Sequence, residues 1–213
     1  PDPQARPLQE FLGGIVKRCQ PLGLRHLHYV DSRIYDLQCN WKVFVDNYLD
    51  GGYHVPHAHK GLSSVIEYTK YTIENFDRAC LQSSPLSSDA KSERGVAATR
   101  QGRAFYLWIY PNFMINAYAG VVDTNLVLPL GVDRCAVVFD YYFADTSKAA
   151  EERNRQSIAV SEKVQDEDMA ICDAVQRGLG SRAYVAGRLS VRREAGEHLF
   201  HRLLYADLTK GNG

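Results

Sequence analysis

The alternation of apolar and polar positions predicts a helical start, a β-rich middle and a long helix towards the end. Leu8, Phe11, Leu12, Ile15 and Val16 recur at helical spacing, and Gln20-Pro21-Leu22-Gly23 closes the segment, so a helix is expected over 8–20. Over 24–38, Leu24, Leu27, Tyr29, Ile34, Tyr35 and Leu37 follow strand spacing around a turn at Asp31-Ser32. A second helix starts near Asn40, carries Trp41, Phe44, Val45, Tyr48 and Leu49 on one side, and weakens at Gly51-Gly52. The runs 65–76, 103–118, 121–130 and 134–143 are rich in Val, Ile, Tyr, Phe and Thr and predict strands. Turn-rich pieces at 83–102, Ala119-Gly120 and Gly131-Val132-Asp133 separate them. The stretch 82–100, rich in Ser, Ala and charge, is expected to be a mobile loop. One polar-surfaced helix is expected over 147–179, followed by a helical turn and short strands. Sequential strands, short turns and one long helix give an α+β class, with an antiparallel sheet curled around that helix.

Composition narrows the function. With 25 Lys+Arg against 25 Asp+Glu in 213 residues, the formal charge is zero, which argues against a general nucleic-acid binder or an anionic-membrane partner. No run of apolar residues is long enough for a membrane-spanning helix, and the start, Pro-Asp-Pro-Gln-Ala-Arg-Pro, has no apolar signal core. Residues 1–7 read as an extended linker and 8–213 as one domain. Cys19, Cys39, Cys80, Cys135 and Cys172 are scattered without a Cys-x-x-Cys pair and read as reduced, buried thiols. Thirteen tyrosines are an excess, suited to a core with many hydroxyl partners or to a ligand pocket.

Candidate chemistry is densest over 40–59, where His54, His57 and His59 fall within six residues. Imidazole is the commonest protein metal ligand, so the cluster is either a metal site or a His-rich surface loop. His54 and His59 would lie about 140° apart on a continuous helix, so they converge on one ion only if the helix ends between them. Pro56 favours that break. In the long helix, Asp168 falls on the stripe of Ile158, Val164, Ile171, Cys172, Val175 and Leu179, whereas Asp166, Glu167 and Asp173 fall off it and read as solvated. A carboxylate on a core-facing stripe costs several kcal/mol unless a cation or hydrogen bonds compensate it. Two His and one carboxylate form the facial set of non-haem Fe(II) oxygenases, and zinc hydrolases use a similar set. In 105–118, Tyr106, Trp108 and Tyr110 share one strand face, and Phe105, Leu107 and Ile109 the other. Such rings either pack in the core or hold a cationic ligand.

The segment Asn-Trp-Lys-Val-Phe-Val-Asp-Asn-Tyr-Leu-Asp-Gly-Gly-Tyr-His-Val-Pro-His-Ala-His-Lys-Gly-Leu (40–62) resembles the iron-binding segment of Rieske-type ring-hydroxylating oxygenase α subunits. Leu-Asp-Gly-Gly-Tyr-His-Val-Pro, together with 110–116, 123–131 and 167–179, is similar to the choline monooxygenase branch. The resemblance implies His54, His59 and Asp168 as ligands of a mononuclear Fe(II). It implies Asn47 beside the iron, and Asp50 as the acidic bridge to the Rieske cluster of a neighbouring subunit. Gly51 occupies the place where some members carry that acid. His57 has no ligand role in the pattern. The implied fold is helix-grip-like, and the implied assembly is a homotrimer.

Members of that family also carry an N-terminal Rieske domain whose Cys-x-His and Cys-x-x-His pairs hold a [2Fe–2S] cluster. Neither pair occurs in this sequence, so 1–7 is expected to be the linker from a missing Rieske domain and 8–213 the mononuclear iron catalytic domain. The implied activity is O2-dependent hydroxylation of a small quaternary amine, with choline to betaine aldehyde hydrate as the leading reading. Electrons would come from a ferredoxin or reductase through the Rieske cluster. Tyr106, Trp108, Tyr110, Asn116 and Tyr118 are the candidate substrate residues. Rivals are the same chemistry on carnitine, a betaine or an aromatic acid, a non-catalytic helix-grip binding module, and a zinc hydrolase. A soluble location in cytoplasm or plastid stroma is expected.

Overall fold

The computed structural model describes residues 3, 5–59, 63, 66–86 and 102–210. Seven antiparallel strands form one sheet: β1 (His28–Leu37), β2 (Thr72–Asn75), β3 (Ala79–Pro85), β4 (Arg103–Ile109), β5 (Phe113–Tyr118), β6 (Val121–Pro129) and β7 (Cys135–Phe143). Their order is β1-β7-β6-β5-β4-β3-β2, so β2 to β7 form a meander and β1 is added beside the last strand. The helices are α1 (Leu8–Leu12), α2 (Ile15–Cys19), α3 (Trp41–Leu49), α4 (Val55–Ala58), α5 (Glu151–Leu179) and α6 (Ala195–Thr209). The α+β class with an antiparallel sheet and a long helix is the one the patterning implies.

The two sheet faces have separate cores. Leu107 on β4 and Ala79 and Leu81 on β3 pack with Ile15 beneath α1 and α2. On the other face, Trp108, Met114, Val127, Val137, Phe139 and Tyr141 meet Phe44, Val45 and Leu49 of α3, Ile158 and Cys172 of α5, and Phe200 of α6. Strict alternation of burial along β7 follows from the pleat, which sends successive side chains to opposite faces. All five cysteines are free thiols, and four are buried. Among the described residues no helix is long and apolar enough to cross a membrane.

Several elements differ from the patterning. The helix expected over 8–20 is two short ones, because Gly13 adopts φ +54°, a left-handed conformation that ends α1. Asp31-Ser32 is not a turn: β1 runs through it, with a register shift between Tyr29 and Asp31 that absorbs one residue. The Asp31 carboxylate accepts the Ser32 N–H at 2.8 Å, so the turn-forming residue stabilises a bulge. Residues 82–85 of the expected loop belong to β3, and 87–100 lie outside the described residues. The short strands expected at the end are instead α6, whose Leu199, Phe200, Leu203 and Leu204 face the core at i, i+4 spacing.

Candidate metal centre

Asn40 starts α3, its side chain accepting the Lys42 N–H at 3.1 Å. The helix stops at Asp50, and Gly51 and Gly52 both take left-handed φ, near +70°. Their freedom is needed: a Cβ on Gly51 would lie 2.1 Å from the carbonyl oxygen of Arg193. An acid at position 51 is therefore excluded sterically, and the acidic group of this turn is Asp50. After the turn, His54 caps the N-terminus of the one-turn helix α4 and His59 its C-terminus. The expected break at Pro56 is displaced: Pro56 sits in the first turn of α4, where its missing N–H costs nothing, and the chain breaks at 50–53. The histidine rings then meet edge to face, with centroids 4.9 Å apart.

The third group comes from α5. Its buried face is formed by Asn154, Ser157, Ile158, Ser161, Gln165 and Cys172, and Asp168 lies on the same face. This face is mostly polar, which the apolar stripe did not reveal; Val175 and Leu179, assigned to the stripe, are 45% and 39% exposed. Asp168 Oδ1 lies 3.1 Å from His59 Nε2 and 3.6 Å from His54 Nε2, and accepts a hydrogen bond from Asn47 Nδ2 at 2.8 Å. His54, His59 and Asp168 offer ligand atoms that all lie within 4.8 Å of one another.

Each histidine is oriented by a second carboxylate. Asp50 Oδ2 contacts His54 Nδ1 at 2.7 Å and accepts the His54 backbone N–H at 2.9 Å. Glu167 Oε2 contacts His59 Nδ1 at 2.7 Å. Glu167 is thus part of the site, correcting the expectation that it is solvated. The missed signal is positional: in the middle of α5, the neighbour of Asp168 reaches the Nδ1 edge of the same buried imidazole. With Nδ1–H donated to a carboxylate, each ring turns Nε2 towards Asp168. These three atoms are electron-rich and suit a cation between them. Burial alone would lower the His59 pKa, but the Asp168 and Glu167 carboxylates outweigh it and raise it. The donor set fits a mononuclear iron. His57 is exposed and stacks on Tyr53, away from the centre.

A cavity of about 100 Å³ opens beside this centre. Tyr48, Tyr71, Tyr106 and Tyr118 line it, with Asn116 among its polar groups. The Tyr48 hydroxyl donates to Asn116 Oδ1 at 2.9 Å, and the Tyr71 hydroxyl to Gln82 Oε1 at 3.2 Å. Burial holds both phenol pKa values well above the ordinary 10, so they stay neutral donors. Two sequence candidates lie elsewhere. Trp108 shares the Tyr106 face of β4 but is fully buried against Phe200, 5.6 Å between centroids, because α6 covers that end of the strand. Tyr110 is beyond the end of β4 and stacks under Arg78 at 4.4 Å. Tyr48 and Tyr71 were missed as cavity residues: Tyr48 reads as a core position of α3, and Tyr71 falls in a run taken as strand.

The sheet, the long helix and the two-His, one-carboxylate group define an α+β domain with a candidate mononuclear metal site. Comparison with known proteins makes the assignment specific: residues 24–209 match the ring hydroxylating alpha subunit (catalytic domain) family, and the chain belongs to it. It is 44% identical over 204 residues to choline monooxygenase, chloroplastic, of Arabidopsis thaliana, covering 93% of this chain and 47% of that protein. Against the Beta vulgaris protein of the same name it is 36% identical over 183 residues, covering 86% and 40%. Among solved structures, a quaternary ammonium Rieske monooxygenase linked to carnitine oxidation superposes with a TM-score of 0.79. It is 22% identical, and the match covers 96% of this chain and 57% of that one. The chain thus spans about half the length of the curated relatives it matches.

Proposed function

We propose that this chain is the catalytic domain of a Rieske-type monooxygenase that hydroxylates a small quaternary amine, with choline as substrate. The observation that carries the reading is the convergence of His54 Nε2, His59 Nε2 and Asp168 Oδ1 at the edge of a tyrosine-lined cavity. His54, His59 and Asp168 would hold Fe(II), which supplies the O2 activation and leaves coordination positions open beside the substrate.

The chain's own residues orient and insulate. Asn47 fixes the Asp168 carboxylate through its amide. Asp50 and Glu167 hold the imidazoles in one tautomer. Tyr48, Tyr71, Tyr106 and Tyr118 line the cavity, where a ring face against a trimethylammonium group would be worth roughly 0.5–2 kcal/mol. Overall, choline, O2, two electrons and two protons give betaine aldehyde hydrate and water, and the hydrate loses a second water. The electrons enter from a Rieske [2Fe–2S] cluster outside these residues, fed by a ferredoxin or reductase. Asp50, bonded to His54 at the polar turn, is the residue proposed to couple that cluster to the metal centre. A homotrimer in which neighbouring subunits supply the cluster, and a plastid or cytoplasmic location, belong to the same reading.

The test is turnover by the holoenzyme with its Rieske domain and reductase, with choline and carnitine compared and Fe(II) and Zn(II) offered together. Betaine aldehyde formed from choline by the iron-loaded enzyme is the expected result. Zinc retention with hydrolytic activity, or no product from choline, would overturn the reading.

A further inference from the structure

Four buried side-chain polar atoms among the described residues have no hydrogen-bond partner, and three of them gather behind the cavity. They are the hydroxyls of Tyr35 on β1 and Tyr141 on β7, and Nε2 of Gln165 on α5. Tyr35 and Tyr141 flank Phe139, a wall residue of the cavity, with ring centroids 5.2 and 6.2 Å from it. The Tyr141 hydroxyl faces Ser161 of α5 and the Tyr35 hydroxyl, without a direct hydrogen bond to either. Ser161 and Gln165 are one turn apart on α5, and both line the cavity. At the other end, Tyr35 feels the carboxylate of Glu162. Glu162 accepts from Arg33 Nε at 2.7 Å, and its side chain is 38% exposed. Hydroxyls therefore run from the cavity wall, through the core between α5 and the sheet, to a carboxylate in contact with solvent. Buried polar atoms left unpaired are costly, and a place where about two to four of them converge is where proteins hold internal water.

We infer that Ser161, Tyr141 and Tyr35, bridged by internal water, form a proton path from the surface at Glu162 to the cavity. This rests on the quaternary-amine oxygenase reading above, whose reaction takes up two protons in each turnover. Along the path each O–H bond breaks as the next one forms. Ser161 Oγ gives its proton to a water or substrate oxygen in the cavity and takes one, through water, from the Tyr141 hydroxyl. Tyr35 replaces the proton of Tyr141, and solvent beside Glu162 replaces that of Tyr35. The net change is one proton moved inward, with no electron transferred and every hydroxyl restored. Burial raises the pKa of both phenols, so they stay neutral and pass protons without ionising. Gln165 is a positioning residue: its Nε2 donates to the water beside Ser161 and holds it in line.

High-resolution diffraction from crystals of this chain tests the path without turnover and without a variant. One ordered water is expected within hydrogen-bond distance of both the Tyr35 and Tyr141 hydroxyls, and another joining Tyr141, Ser161 and Gln165 Nε2. A dry contact at these atoms overturns the path. Turnover of choline by the holoenzyme tests its role. Tyr141→Phe and Ser161→Ala should each lower kcat about tenfold or more and raise the solvent deuterium isotope effect on kcat, with KM and iron content unchanged. Tyr142→Phe, on the opposite face of β7, should match the wild type. An unchanged kcat in Tyr141→Phe, or a loss that falls on KM alone, overturns the assignment. A wild type that holds the waters yet makes no product from choline contradicts the quaternary-amine reading itself, and with it the role given to the path.

Discussion

Glu167 offers the sharpest quantitative prediction, because it acts on the metal centre only through His59. Its Oε2 lies 2.7 Å from Nδ1 of an imidazole that is 1% exposed. In Glu167→Gln the amide oxygen can still accept the Nδ1–H, so the hydrogen bond survives and only its charge is lost. Charge-assisted bonds are about twice as strong as neutral ones, a difference of about 1 kcal/mol, or roughly fivefold in metal affinity. In Glu167→Ala the buried Nδ1–H loses its acceptor, which adds about 1–3 kcal/mol. The total, about 2–4 kcal/mol or roughly 30- to 900-fold, overlaps at its lower end the 10- to 100-fold loss typical when the carboxylate partner of a ligating His is removed. Competition titration of Fe(II), or of Co(II) as a spectroscopic probe, gives these affinities. The expected order is wild type, then Gln, then Ala, with Asp166→Asn, an exposed neighbour, unchanged. Equal affinity in wild type and Glu167→Ala would refute the reasoning, as would an equal loss in Asp166→Asn.

Three further outcomes follow from the packing. Gly51→Ala should cost roughly 2–4 kcal/mol, from left-handed φ and the Arg193 carbonyl, and lower Tm by about 4–12 °C, whereas Gly178→Ala, with open space at its Cβ, should not lower it; calorimetry showing no difference between the two would contradict the close approach. Trp108→Ala should cost about 3–5 kcal/mol of stability, while Tyr106→Ala should weaken ligand binding at little cost in stability, and the reverse pattern would return Trp108 to the cavity. Glu197 is half-buried beside Asp46 and Glu194, and burial followed by those charges raises its pKa from the ordinary 4.5 to about 7. A pKa raised on folding contributes stability that is fully present below 4.5 and is lost as pH rises through about 7. Glu197→Gln should therefore raise stability at pH 8 by on the order of 1 kcal/mol after solvent screening, a rise in Tm of roughly 2–4 °C, and much less at pH 5. A gain of the same size at both pH values would rule out titration of Glu197 as its cause.

Much of this architecture is legible in the sequence because the patterns are local. Period-two alternation in 103–143 and the sustained helical stretch before residue 179 each report the environment of one element. Asp168 stood out because a carboxylate on an inward face contradicts its surroundings. The wall of the site was less legible. Ser161 and Gln165 are polar in sequence yet buried, since they line the cavity, and Asn154 is buried with its amide donating to the Asp145 carbonyl. Glu167 sits off the stripe and gains its partner from a histidine 108 positions away in the chain. Trp108 and Tyr106 share a strand face, and only the placement of α6 separates core from cavity. Non-local packing decided each of these, and hydropathy periodicity carries no record of it.

The central claim is that His54, His59 and Asp168 hold one iron. Anomalous scattering at the iron edge, from crystals of anaerobically iron-loaded protein, tests it most directly. A competitor is available within the same molecule: Asp46 of α3 and Glu197 and His201 of α6 also bring three ligand atoms within 4.8 Å of one another. The account predicts one peak per chain, bounded by His54 Nε2, His59 Nε2 and the Asp168 carboxylate, and its loss in Asp168→Ala. A peak at Asp46, Glu197 and His201 alone, or iron retained in full at the first site after Asp168→Ala, would contradict it.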